Sequence, residues 1–413
     1  MYRILVIADD LSGAADCGIA FAQAGLPSVV LLSAARAAPA AIEVLALDAD
    51  SRQLRPGEAA AVHRHLAQRH LAPGVLLYKK IDSTLRGNIA AELAAVIPQA
   101  GMAIVAPAFP ATGRTTRDGR VYVQNVPLEQ TAIWQREGLT GVADIAAMLE
   151  HAGVRTARAG LDLVRSGPGA LLHALDGAAR VGVQAIVCDA ETGADLAAIA
   201  SASARMHAPS FWVGSGGLAH YLPDAAGIAA PVPTAPPIRP SGPVLVVVGS
   251  LSAVSRDQAE RLASQPGVAA VTAPPDALPQ GSTHPGWQHA ASALTAALDR
   301  GDDVLLTIGA GGSQDLRQGW RLCESLARLV SPLADRFGSL VATGGETARA
   351  LLTGLGAVGL RLVREIEPGV VLSTAEGGGQ ALPVITKAGA FGTPDTLVHC
   401  RAVLRGTAPE TQS

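Results

Sequence analysis

Lysine is nearly missing from this 413-residue chain, which holds three lysines against 29 arginines. The bias suits a GC-rich genome better than it suits a function, and it makes each retained lysine informative. A compact ammonium on a flexible stem does work that a planar guanidinium does less well. Lys79 and Lys80 stand side by side in YKKIDSTLRGN, and Lys387 stands in ITKAGAFG. No Gly-Lys pair occurs anywhere, so the Walker A loop GxxxxGK[ST] is excluded and any ATP site must be of another type. Cysteine is scarce as well: Cys17, Cys188, Cys323 and Cys400 are widely separated, without CxxC or His/Cys spacing, and signal neither a disulfide framework nor a structural zinc. Only 16% of residues are charged and the net charge is -3, with no long basic run, so small molecules are the expected partners and nucleic acid is not. No apolar run of about 20 residues is present to span a bilayer, so no membrane partner is expected. The opening MYRILVIADD reads as a strand running into acidic residues, without a signal peptide's apolar core, and a cytoplasmic location is expected.

What is present is apolar material, 49% of the chain, enough for buried sheets. The length suggests two domains. Short β-branched runs bounded by Gly, Pro or Asp alternate with alanine-rich helical stretches, the pattern of a largely parallel sheet covered by helices. Strands are expected from Ile4, Val29, Val44, Val75, Ile104, Ile186 and Phe211. The segment Ala229 to Pro243 has six prolines in fifteen residues and reads as an extended linker, placing the domain boundary near residue 235. Beyond it PVLVVVGS restarts the pattern, with further runs from Val304, Leu340, Val370 and Val384; the last residues, GTAPETQS, read as a disordered tail.

Several segments carry chemistry. In ILVIADDLSGAAD a buried strand delivers Asp9 and Asp10 to its carboxyl end, where ligands bind in open parallel sheets, and Ser12 and Gly13 open a helix. A carboxylate there can accept a hydroxyl proton or hold Mg2+, although Asp10 or Ser12 can equally serve only as a helix cap. In LLYKKIDSTLRGN, Lys80 can neutralise an oxyanion, Asp82 can orient or deprotonate a hydroxyl, and Arg86 can grip a carboxylate with two parallel hydrogen bonds. Arg52, in SRQL after the strand EVLALDAD, reaches the same rim. PAFPATGRTTRDGR, Pro107 to Arg120, reads as a rigid basic loop that could cover an acidic substrate or simply be soluble surface. GSLSAVSRDQ, ATGGETA and ITKAGAFG each join an apolar strand to a small-residue turn able to form an anion-binding nest. VGSGG from Val213 and IGAGG from Ile308 imitate a dinucleotide fingerprint without completing it.

Taken together, ADDLSGAAD, KKIDSTLRGN, PAFPATGRTTRDG, ATGGETA, EIEPGV and TKAGAFG, in order along nearly the whole chain, resemble the four-carbon acid sugar kinase family. The resemblance implies a substrate-binding domain over 1–230, a nucleotide-binding domain over 241–405, and an active site in the cleft between them. It assigns acid contacts to Asp9, Arg52, Lys80, Ile81, Asp82 and Ser83, with Arg86 added, and ATP contacts to Ser252, Thr343, Gly344, Gly345, Glu346 and Gly389. The turn reads GSLS where GSCS is the pattern, and which of Ser250 and Ser252 meets the nucleotide is left open.

These readings converge on transfer of the γ-phosphoryl group of Mg-ATP to the C4 hydroxyl of D-threonate, with D-erythronate or 3-oxo-tetronate next and Asp9 or Asp82 as base. The rivals are an NAD-dependent dehydrogenase and a non-catalytic sensor of a sugar acid and a nucleotide. A homodimer is left open, and the Mg2+ ligands are not assigned.

Overall fold

The computed structural model describes residues 2–33, 36, 39, 41–137, 140–231, 242–249, 252–309, 319–377, 381–389 and 391–407. The chain divides into two compact units, residues 1–233 and 234–413, each a largely parallel sheet covered by helices. Most of the proline-rich segment, Ser250, Leu251, most of IGAGG and the final six residues lie outside the described residues.

The main sheet of the first unit is built from β1 (Ile4–Ala8), β2 (Ser28–Leu31), β3 (Val44–Asp48), β4 (Leu76–Lys80) and β5 (Met102–Ala106), completed by three later strands. Runs such as ILVIA and MAIVA are buried along their whole length, as strands covered on both faces must be. A separate small antiparallel sheet follows: β6 (Arg114–Arg117), β7 (Arg120–Val123) and β8 (Val126–Pro127). The large sheet then resumes with β9 (Thr156–Ala159), β10 (Ala185–Cys188) and β11 (Ser210–Gly214), giving the order β2-β3-β1-β4-β11-β5-β10-β9 with every pair parallel. Leu5, Ile7, Leu45, Leu77, Val105 and Val213 pack with Leu93 and Val96 to form its core.

All seven strands expected here are present. The basic loop is corrected: Pro107 to Arg120 contains a short 3-10 turn and most of a hairpin. Asp118 and Gly119, with φ of 50° and 74°, form the two-residue connection between β6 and β7. A tight hairpin turn needs positive φ at both positions, and Asp-Gly is its strongest sequence signal.

The second unit contains β12 (Val244–Val248), β13 (Val268–Ala273), β14 (Asp303–Ile308), β15 (Ser339–Thr343), β16 (Ala357–Glu367), β17 (Val370–Gly377) and β18 (Leu382–Lys387). Its order is β13-β14-β12-β15-β18-β17-β16, parallel except that β17 runs antiparallel to both β16 and β18. Among the described residues, no helix is long and apolar enough to cross a membrane.

Candidate active site

In the first unit the chain lays β2 and β3 on one side of β1, then crosses to β4 on the other. The strand order therefore reverses at β1, and in open parallel sheets ligands bind at the carboxyl ends of the strands beside such a reversal. β1 delivers Asp9 and Asp10 there, β3 leads to Arg52, and β4 ends in Lys80 ahead of Asp82. Asp10 caps helix α1 (Leu11–Gln23), its Oδ1 accepting from the Gly13 amide at 2.9 Å. Its other oxygen accepts from Arg52, so the cap and the site use the same carboxylate.

Arg52 is the hub. Its Nε and Nη2 donate to the two oxygens of Asp9 at 2.6 and 2.9 Å, its Nη1 donates to Asp10 at 2.9 Å, and Nη2 lies 3.9 Å from Asp82. Arg86 makes the matching fork to Asp82 at 2.9 and 2.7 Å, and the Thr84 hydroxyl also donates to that carboxylate. Lys80 sits against the start of α1: a methyl group on Gly13 would come within 2.6 Å of both Lys80 Nζ and Asp10 Oδ1, so a side chain there would have to displace one of these charged groups. The structure thus brings Asp9, Arg52, Lys80, Asp82 and Arg86 into one charged cluster. Ser83 is buried beside them, whereas the Ile81 side chain belongs to the hydrophobic core and offers the site only backbone.

Burial raises the free energy of every charge in the cluster, and the neighbours decide the outcome. For Asp82, burial works upward, but Arg86, Arg52 and Lys80 outweigh it and hold the carboxyl well below the usual range. Asp10 is lowered on the same balance, burial being overcome chiefly by Arg52 and Lys80. Burial alone would depress Lys80, yet Asp10 and Asp9 raise it, so its ammonium is secure.

Two further members escaped the sequence reading. Asp16, one and a half turns into α1, is 7% exposed and pushed up to about 6, mainly by burial, with Lys80 pulling the other way. Arg114, at the start of β6, is also 7% exposed; burial lowers it, and attraction to Asp82 and Asp16 does not make up the difference. The final Asp of ADDLSGAAD and the first Arg of the RTTR strand were visible in the sequence, but only the packing of α1 and the hairpin against β4 unites them.

Beneath the cluster lies a buried layer. Lys79, completely buried, pairs with Glu92 of α3 (Ile89–Ala100) at 2.9 Å and donates to the Lys80 carbonyl at 2.6 Å. Glu92 also accepts from the Ser51 hydroxyl at 2.7 Å and meets His63 of α2 (Pro56–His70) at 3.3 Å, while the Ser51 amide donates to the Asp9 carbonyl at 3.1 Å. The residue before Arg52 is therefore fixed from below, and the lysine before Lys80 is fixed by the same carboxylate.

In the second unit the order reverses at β12, and the turns after β12, β15 and β18 carry the expected nucleotide contacts. Thr343 ends β15 with its hydroxyl buried and without a hydrogen-bond partner among the described residues. Gly344 precedes the helix Gly345–Gly354, whose first-turn amides lack intrahelical acceptors and include that of Glu346. The Ser252 hydroxyl caps helix Ala253–Ala263 through the Ser255 amide at 3.1 Å and donates to the Gly389 carbonyl at 2.8 Å, so Ser252 and Gly389 are joined. The buried orphan hydroxyl and the helix start are the donor set that phosphate oxygens require.

The family models match here as a sugar-binding N-terminal domain over residues 4–222 and a nucleotide-binding C-terminal domain over residues 245–397. The chain is 48% identical to the D-threonate kinase of Cupriavidus necator over 98% of its own length and 99% of the relative's. It belongs to the four-carbon acid sugar kinase family. A D-threonate kinase of Bordetella bronchiseptica is 38% identical, with 97% of each chain covered. A solved Salmonella typhimurium LT2 protein, provisionally described as a tRNA synthase, superposes with a TM-score of 0.79 over 96% of this chain and 98% of its own. At 22% identity it speaks for the fold alone. Within this kinase family the charged cluster lies in the sugar-binding part and the glycine turns in the nucleotide-binding part.

Proposed function

We propose that this kinase transfers the γ-phosphoryl group of ATP to the C4 hydroxyl of D-threonate, giving D-threonate 4-phosphate. The observation that carries the reading is full-length identity of 48% to a D-threonate kinase, taken with a first unit whose charged cluster holds paired carboxylates and buried cations. ATP supplies the phosphoryl group and brings Mg2+ with it. Because Mg2+ keeps several waters and binds largely through phosphate oxygens, it does not demand a dedicated protein cage.

The arrangement in the cluster refines the division of labour. Arg52 and Arg86 spend their forks on Asp9, Asp10 and Asp82, so the substrate carboxylate goes to the other cations of the cluster, Lys80 and Arg114. Arg114 is the stronger candidate, because a guanidinium offers a carboxylate two parallel hydrogen bonds where an ammonium offers a point charge. Asp82, held far down by Arg86, is a poor proton acceptor and a good anchor. Asp9 takes the hydroxyl proton, with Arg52 holding the carboxylate in register. In the second unit Thr343, Gly345 and Glu346 at the helix start, with Ser252 and Gly389, receive the phosphates. Four buried free thiols suit a reducing cytoplasm.

The test is ADP release by the purified protein with Mg-ATP across D- and L-threonate, D- and L-erythronate and 3-oxo-tetronate. Turnover on D-threonate above the others supports the reading. Turnover on none, with both ligands still bound, would replace it with the sensor.

A further inference from the structure

We propose that Lys387 is a positioning residue of the nucleotide site: its ammonium, turned into the second unit, gathers the carbonyls of the following loop and so presents the Gly389 turn to phosphate. This rests on the reading that the second unit binds ATP.

Lys387 ends β18 and is completely buried. Its Nζ donates to the carbonyls of Ala388, Gly389 and Phe391 at 3.1, 3.2 and 3.0 Å, which uses all three ammonium hydrogens. The Gly389 carbonyl is drawn inward twice more, by the hydroxyls of Ser252 at 2.8 Å and Ser255 at 2.6 Å. Gln258 secures Phe391 and Thr393 by their carbonyls at 3.1 and 2.7 Å. In a trans peptide the N–H points opposite to the C=O of the same unit. Drawing the Ala388 carbonyl inward therefore turns the Gly389 amide outward. Of the neighbouring described amides, that of Ala388 donates to the Gly369 carbonyl at 3.3 Å and that of Phe391 to the Ala388 carbonyl at 3.1 Å. An outward amide on a glycine, with no side chain to block approach, is an anion donor.

Lys387 reaches the other phosphate turn too. Its own carbonyl accepts from the Gly344 amide at 2.7 Å, immediately before the helix Gly345–Gly354. One residue thus sets both turns, the second through backbone and the first through a charge that never meets solvent.

The groups facing the ammonium are Cys400 on the C-terminal helix and Glu367 at the end of β16; Glu367 is itself engaged by Thr396 at 2.5 Å and His399 at 3.0 Å. Burial brings Lys387 down to about 8, with the Glu367 carboxylate pulling the other way. Cys400 and Cys323 are pushed up to about 12 and about 11 and stay protonated in the range that matters. A neutral amine has two hydrogens for three carbonyls, so the loop should loosen as pH rises through that region.

The experiment is calorimetric titration of the full chain with ADP, wild type against Lys387→Met, alongside the KM for D-threonate. ADP affinity should fall at least about tenfold, the weight of one charge-assisted hydrogen bond, while the KM for D-threonate stays put. Lys387→Arg should not restore it, because a planar fork cannot reach three carbonyls of one turn. Should Lys387→Met fail to fold, the wild type decides: its ADP affinity should weaken between pH of about 7 and about 9.5 with D-threonate affinity flat. Equal ADP affinity in variant and wild type, or a flat wild-type profile, overturns the inference alone. A wild type that binds no ADP overturns the nucleotide reading and this inference with it.

Discussion

Replacing Asp16 by Asn should make the protein more stable at neutral pH. Asp16 is pushed up from its ordinary 3.8 to about 6, chiefly by burial and only partly relieved by Lys80. A folded-state pKa above the unfolded one means that the folded chain binds the extra proton, so this group's contribution favours folding at low pH and is lost as pH rises through about 4 to 6. Above that window the ionised carboxylate burdens the fold by the shift times about 1.4 kcal/mol per unit, roughly 3 kcal/mol. Asn is neutral throughout and retains an oxygen on the side facing Gly216. The gain should therefore be near zero at pH of about 4 and reach about 1 to 3 kcal/mol above pH of about 6.5, allowing for the altered field at Lys80. Urea denaturation of both proteins across that range measures it, taking the transition that D-threonate shifts as that of the first unit, since two units need not unfold together. A gain of the same size at both ends of the range, or none at neutral pH, would refute the electrostatic account.

Three other outcomes follow from the assignments. Arg114→Met should raise the KM for D-threonate by about 10- to 150-fold, the worth of one or two charged hydrogen bonds, with ADP affinity unchanged in calorimetry; an unchanged KM returns the carboxylate to Arg52 or Arg86. Asp9→Asn should lower turnover about 100- to 10,000-fold while retaining D-threonate binding, and Asp82→Asn should act more on KM, because it releases Arg86; near-normal turnover in both removes the base from the cluster. Thr343→Val keeps shape and removes a hydroxyl that has no partner among the described residues. Melting temperature should therefore hold while ADP affinity drops several-fold, and an unaltered affinity would mean that Thr343 does not meet the nucleotide.

What the sequence made legible was whatever depends on nearest neighbours. The buried strands announced themselves as continuous β-branched runs, and their carboxyl ends as the acidic and glycine-rich turns that follow. Among the strands that went unseen, β9 reads TARA and β16 has only three buried residues in eleven, so neither carries a continuous apolar signal; β13, VAAVTA, was missed as well. The hairpin was missed for another reason. Its Asp118-Gly119 signal was present, but arginines drew attention to charge where turn chemistry should have settled the conformation. In the cluster the individual side chains were legible and their pairings were not. Nothing local in SRQL says that Arg52 will close on Asp9 and Asp10, forty-odd residues away, because that contact follows from β3 lying beside β1.

The scarcity of lysine has a physical sense once all three are placed. Each is nearly or completely buried: Lys79 and Lys387 at 0% and Lys80 at 5%. Lys79 and Lys387 each serve several acceptors packed around a point, and Lys80 fits into a tight space. Lys79 bridges Glu92 and the Lys80 carbonyl, Lys80 lies where even a methyl group on Gly13 would collide, and Lys387 holds three carbonyls of one turn. A guanidinium is wider, flat, and directs its donors in a plane, so it matches carboxylates edge to edge, as Arg52 and Arg86 do, and cannot radiate bonds in three dimensions from one atom. The division of cations in this kinase is therefore one of geometry: arginine where a fork meets a carboxylate, lysine where a small charge must fit inside the backbone. Two of the three lysines are completely buried, while Lys80 stands in the charged cluster at the end of β4.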